Sequence, residues 1–216
     1  MELNTSAAIC DVNLEKSYLL DFSKEMVAWV KSEGYSLLDI NLFPKPTLAV
    51  TTSKRSKSTP DIGKQVATYL WDNYIQYDSL FRKSWGVMDN FLPDNRLSSA
   101  RRIILIGHGP GGQAIMDLLE NRTMSVTNTV RAVIQVVGHD KVPIVPKYSD
   151  ELRVWYTQHS YVVLPSRHRV LGPETRPRDL KRHGHLSPIE ENKPIKMIMR
   201  ALPGIREYVK TVLEDS

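Results

Sequence analysis

Apolar residues recur at helical spacing through Leu14, Tyr18, Phe22, Met26, Trp29 and Val30, which predicts an amphipathic helix. Asp11 or Asn13 is available as its cap, and Gly34 closes it, since glycine adopts positive φ freely. Leu37–Leu42 then reads as a buried strand that stops at Pro44 and Pro46. Residues 51–60 are polar and carry Lys54, Arg55 and Lys57 without an acid, as a mobile surface loop would. Thr59-Pro60-Asp61 is a helix start with proline at the first helical position. The face that follows runs through Ile62, Val66, Tyr69, Leu70, Asn73 and Tyr74 to Tyr77 and Phe81.

In the second half, Arg102–Ile106 is a strand, and Gly107–Gly112 turns it into a helix carrying Ala114, Ile115, Leu118 and Leu119. Arg131–Val137 is a strand of β-branched residues, Asp150–Gln158 a short helix and Tyr161–Leu164 a further strand. Ile195–Leu213 is a helical end, expected to break around Pro203-Gly204. Strands alternate with helices and no hairpin signal joins two of them. That order predicts one α/β domain over 1–216, a mostly parallel sheet flanked by helices.

Composition changes this picture little. Hydrophobic residues at 41% and charged ones at 25% sit at the globular average and exclude wholesale disorder. The balance of 29 basic and 24 acidic residues, net +5, suits an anionic partner but is far from histone-like. No apolar run approaches the roughly 18–20 residues a spanning helix needs, so no membrane partner is expected. The N-terminus has no basic region and apolar core of a secretory signal. A single cysteine, Cys10, allows neither an internal disulfide nor a cysteine-cluster zinc site, which makes cytosol or nucleus the default.

Candidate chemistry centres on Gly107-His108-Gly109-Pro110-Gly111-Gly112, which reads three ways. As G-x-G-x-x-G it would cradle a pyrophosphate on backbone N–H groups, but Pro110 lacks one and Asn121–Gly138 holds no acid for a ribose. As the nucleophile elbow G-x-S-x-G it has Gly107 and Gly111 outside and Gly109 where a hydroxyl or thiol must stand. Asp140 and then His183 or His185 follow in the order nucleophile, acid, histidine, as relics of a triad whose nucleophile is gone. As plain structure, the glycines serve a tight turn, and His108 bonds locally. An active hydrolase would need another nucleophile, Ser166 or Cys10.

The second candidate is a basic loop over 165–188. It contains Arg167, His168, Arg169, Arg176, Arg178, Lys181 and Arg182, with His183 and His185, against Glu174 and Asp179. It reads either as a solvated loop or as a docking surface for an anion, nucleic-acid phosphate or acidic protein. Aromatic residues are not interleaved, so a stacking platform for single strands is not expected, and neither is a metal or cofactor.

The order of several short motifs resembles a known family. Glu15–Leu42, with Lys24-Glu25-Met26-Val27-Ala28-Trp29 and Gly34-Tyr35-Ser36-Leu37-Leu38-Asp39-Ile40-Asn41, resembles the opening of the Arb2 domain, named for argonaute-binding protein two. Leu70-Trp71-Asp72-Asn73-Tyr74-Ile75, Ile104–Leu119, Val130–Gly138, Leu152–Val163, His168 and Arg176–Gly184 keep that family's order over nearly the whole chain. The resemblance implies an α/β-hydrolase-like fold without a triad, in accord with Gly109. It implies a non-catalytic module of the kind found C-terminal to the catalytic domain in fungal class II histone deacetylases, or as a standalone partner of argonaute in small-RNA silencing. Implied partners are histones or nucleosomes and silencing-complex subunits, with a homodimer and a nuclear location. The first strand expected ahead of Leu14 is missing, which suggests an N-terminal truncation or a divergent copy.

Overall fold

The computed structural model describes residues 21–40, 62–75, 102–139, 141–146, 149–176 and 180–214. Residues 21–32 are helical (α1), and the end is tied off as the sequence predicts. Gly34 has φ 71°, with Tyr35 N donating to Val30 O at 2.9 Å and Gly34 N to Lys31 O at 3.2 Å. Helix α2 (Ile62–Leu70) continues into one π-helical turn, Trp71–Ile75. The extension to Tyr77 and Phe81, the caps Asp11 and Asn13, and loop 51–60 lie outside the described residues.

Among the described residues four strands follow: β1 (Ile103–His108), β2 (Val130–Val136), β3 (Ser160–Pro165) and β4 (Leu186–Ile189). They lie in sequence order, each parallel to the next. Between them run α3 (Pro110–Asn121), α4 (Thr123–Thr129) and α5 (Asp150–His159), and α6 (Pro194–Glu214) closes the fold.

Alternation along the strands divides the core between the two sheet faces. Ile103, Leu105 and Val133 pack with Leu119, Val126, Leu152, Tyr156 and the buried Trp71. Ile104, Ile106, Ile134, Val136 and Val163 pack against α6 through Met197, Ile205 and Val209. Helix α1 seats Met26 and Val30 on Leu202, outside that second layer. Trp71 Nε1 donates to Ser125 Oγ at 2.9 Å and Arg122 holds Asp72 through two bonds at 2.8 and 2.7 Å, fixing the π turn to α4 and the end of α3. Among the described residues no helix is long and apolar enough to cross a membrane.

Three expectations need correction. Residues 35–40 form no strand, and Leu37, Leu38 and Ile40 stand exposed; Asn41 and Leu42 lie outside the described residues. Helix α6 is not broken at Pro203-Gly204 but runs through Pro203, because Leu202, Ile205 and Val209 are buried on either side of it. Strand β4 was not expected, since Pro188 interrupts its pattern. Proline is tolerated there because β4 pairs only with β3 among the described residues.

Candidate functional site

Strand β1 ends at His108 and α3 begins at Pro110, so Gly109 alone makes the turn. Its backbone, φ 56° and ψ −123°, is one that L side chains rarely adopt. Gly107 is needed for a different reason. A Cβ there would stand 2.8 Å from Gly112 N and 2.9 Å from the Gly111 carbonyl carbon, because the helix start folds back over the strand end. Gly111 has nothing within 4 Å of such an atom.

The turn has the course of a nucleophile elbow without its reactive groups. That motif takes its nucleophile from the residue standing at Gly109 and an oxyanion donor from the backbone N–H of the next residue. Gly109 has no side chain and Pro110 no N–H. The phosphate-cradle reading meets the same limit, since Gly112 N already donates to Gly109 O at 3.1 Å. Opposite Gly112, Gln135 of β2 is fully buried and its amide has no hydrogen-bond partner among the described residues.

Residues 191–194 are tied across the ends of β1 and β2. His139 Nε2 donates to Asn192 O at 2.7 Å, and the half-buried His108 donates through Nε2 to Pro194 O at 3.4 Å. Burial lowers the His108 pKa, partly opposed by that bond. A side chain on Gly138 would press on Pro194, 3.0 Å from where its Cβ would stand. Glu191 Oε1 accepts from Asn192 N and Lys193 N at 2.9 Å each, and the Lys193 bond first among its causes holds its carboxyl below the usual range.

Neither triad histidine stands beside Gly109. Asp140 lies outside the described residues, as does Cys10. His183 and His185 come just before β4, whereas Gly109 comes just after β1. The register sets Leu186 level with Gly107, so His185 stands about 10 Å short of Gly109 along the strands and three strand spacings, about 14 Å, to the side. Ser166 does follow β3 at the Gly109 end, but the two histidines that would have to activate it do not. His183 is buried; His185 accepts from Val162 N through its carbonyl at 2.8 Å and donates from its N to Ser160 Oγ at 3.1 Å. Among the described residues no group of three His, Cys, Asp or Glu is placed to hold a metal.

The basic residues belong to the β3–β4 connection, which returns from the level of Pro165 to that of Val162, and they divide into exposed and internally bonded members. Arg167 and Arg169 are exposed beside the end of β3, Arg176 is exposed along the crossing, and Lys181 is exposed near the start of β4. Arg178 lies outside the described residues. Two members are structural. The buried His168 accepts from Val170 N at Nδ1, 3.2 Å, capping the 3-10 turn Arg169–Leu171. Arg182 donates through Nε and Nη2 to Val145 O at 3.0 and 2.8 Å, while its own carbonyl accepts from Val145 N. Sequence reasoning missed the tie made by Asn192 and Pro194, for which no local signal exists. It also passed over Pro110 as an oxyanion-site residue, although the position after Gly109 was there to be read.

The fold and turn together define an α/β domain whose first described strand passes into a helix through Gly109 in the conformation of a nucleophile elbow. The model of the Arb2-like domain matches residues 3–216, and the chain belongs to that family. It is 22% identical over 206 residues to the histone deacetylase Clr3 of Schizosaccharomyces pombe, covering 95% of this chain and 26% of that protein. It is 28% identical over 160 residues to the histone deacetylase HDA1 of Saccharomyces cerevisiae, covering 73% of this chain and 19% of that protein. The chain thus spans about a quarter or less of the curated relatives it matches. Among solved structures, that of the histone deacetylase Clr3 gives a TM-score of 0.63 at 21% identity, over 89% of this chain and 26% of that one. A histone deacetylase from Saccharomyces cerevisiae gives 0.61 at 21% identity, over 88% and 66%. The structural likeness speaks for a shared fold.

Proposed function

We propose that this chain is a non-catalytic interaction module of histone-deacetylase complexes, contributing partner or histone binding and dimerisation in the nucleus. The reading is carried by one pairing of observations: a match to the Arb2-like domain over 3–216 with histone deacetylases as relatives, and an elbow in which Gly109 and Pro110 lack both nucleophile and oxyanion donor. A protein that keeps the turn but not its reactive groups acts through its surface. The exposed cations Arg167, Arg169, Arg176 and Lys181 are the residues for an anionic partner.

The test is capture of reconstituted nucleosomes and of a deacetylase subunit by the tagged chain, alongside turnover of an activated acyl ester. Capture that weakens with salt and no turnover above buffer are expected, and Gly109→Ser is expected to gain none. Ester turnover blocked by a serine- or cysteine-directed covalent inhibitor would overturn the non-catalytic reading. Capture of argonaute complexes alone would move the module to small-RNA silencing.

A further inference from the structure

Helix α1 and the second half of α6 leave a groove of about 830 Å³ between them, remote in the chain from the glycine turn. Trp29 and Tyr35 line it as an edge-to-face pair, with ring centroids 6.2 Å apart and planes at 89°. Around these rings stand the exposed Glu25, Glu33, Glu207 and Glu214. The cations of the groove are already engaged. Arg206 lies over Trp29, 5.7 Å from the ring centroid, and donates to Glu25 O at 3.3 Å, while Lys210 faces Glu214 at 3.8 Å. Glu25, Glu33 and Glu207 have no ion-pair partner among the described residues. Four carboxylates against two cations make the groove net −2, in a chain that is +5 overall.

That combination selects its occupant. Aromatic faces attract an ammonium or guanidinium, and Arg206 on Trp29 shows this ring holding a cation from its own chain. Unpaired carboxylates at the rim attract further cations, whereas an acidic or purely apolar segment would leave them unmatched. Residues 203–214 of α6 extend over about 18 Å, the span of roughly five extended residues, so the groove suits a peptide better than a lone small molecule. We propose that the groove between α1 and α6 docks an extended lysine-rich segment of a partner protein. One ammonium lies against the Trp29–Tyr35 pair and its neighbours lie opposite Glu33 and Glu207. The proposal stands on these residues alone, and it adds to the basic residues a second surface of opposite sign.

The experiment measures binding of a short fluorescent peptide of alternating lysine and alanine to the full chain by anisotropy. A glutamate–alanine peptide of equal length serves as control. Saturable binding of the lysine peptide alone is expected, falling as salt rises. Glu33→Lys with Glu207→Lys should weaken it by about tenfold or more, and Tyr35→Ala by about threefold to tenfold. Glu151→Gln with Glu174→Gln, two exposed acids outside the groove, should leave it unchanged. If charge reversal lowers the melting temperature, Glu33→Gln with Glu207→Gln must still weaken binding. Three outcomes would overturn the proposal: no saturable binding at low salt, equal binding of the glutamate peptide, or unchanged affinity in the groove variants. A doubled solution mass that these variants abolish would also overturn it, assigning the groove to a second copy.

Discussion

The glycine turn and the β3–β4 crossing look alike in the sequence, each a dense run of unusual residues, yet the fold uses them in opposite ways. In the turn, one end of the sheet collects the whole run within a few residues, and backbone geometry accounts for Gly107 and Gly109. In the crossing, the run connects the end of β3 to the start of β4. Its members separate into internal partners, His168 and Arg182, and exposed cations, Arg167, Arg169, Arg176 and Lys181. Density along a sequence marks a site only where the chain doubles back. Where it connects two parallel strands, the same density is divided between internal bonds and solvent.

The largest test of this contrast lies within the turn. Gly107→Ala places a methyl against backbone that cannot move aside and should cost about 2–3 kcal/mol in urea unfolding, whereas Gly111→Ala should stay within about 0.5 kcal/mol. Equal effects would remove the steric account of the turn. In the crossing, Arg182→Ala should cost about 1–2 kcal/mol through loss of its two bonds to Val145 O, against about 0.5 kcal/mol or less for Arg176→Ala. The smallest effect concerns pH. Burial favours neutral His108 in the folded protein, so the unfolded chain binds its proton more readily. The wild type should therefore lose stability relative to His108→Gln as pH falls from 6.5 through the lower folded pKa. A difference independent of pH would place His108 outside the packed end of β1.

Strands β1 to β3 and helices α3 and α5 were legible because local pattern decides them: β-branched runs, 3.6-residue spacing, and acids such as Asp150 and Glu151 in a first turn. Helix α4 was not legible. Thr123–Thr129 has weak helix formers, and it is held by the burial of Val126 and by the bond from Trp71 to Ser125. Leu37-Leu38-Asp39-Ile40 failed the other way, with a strand-like composition in residues that are exposed. For the site, the strand-to-helix turn at Gly109 could be read from its glycines. The separation of His183 and His185 from it could not, because it depends on β4, and Pro188 hides that strand from pattern reading.

Strand order that follows chain order has a consequence for how the molecule assembles. Each of β2, β3 and β4 finds its partner in the strand just made, so the sheet can grow in the direction of synthesis with short loops to close. The docking of α1 on α6 is the exception. Arg206 reaches Glu25 across 181 residues, a contact that has no partner until the last helix exists. Until then the face of Ile134, Val136 and Val163 lies bare, and the nascent chain carries an apolar sheet surface for the time that separates β3 from α6.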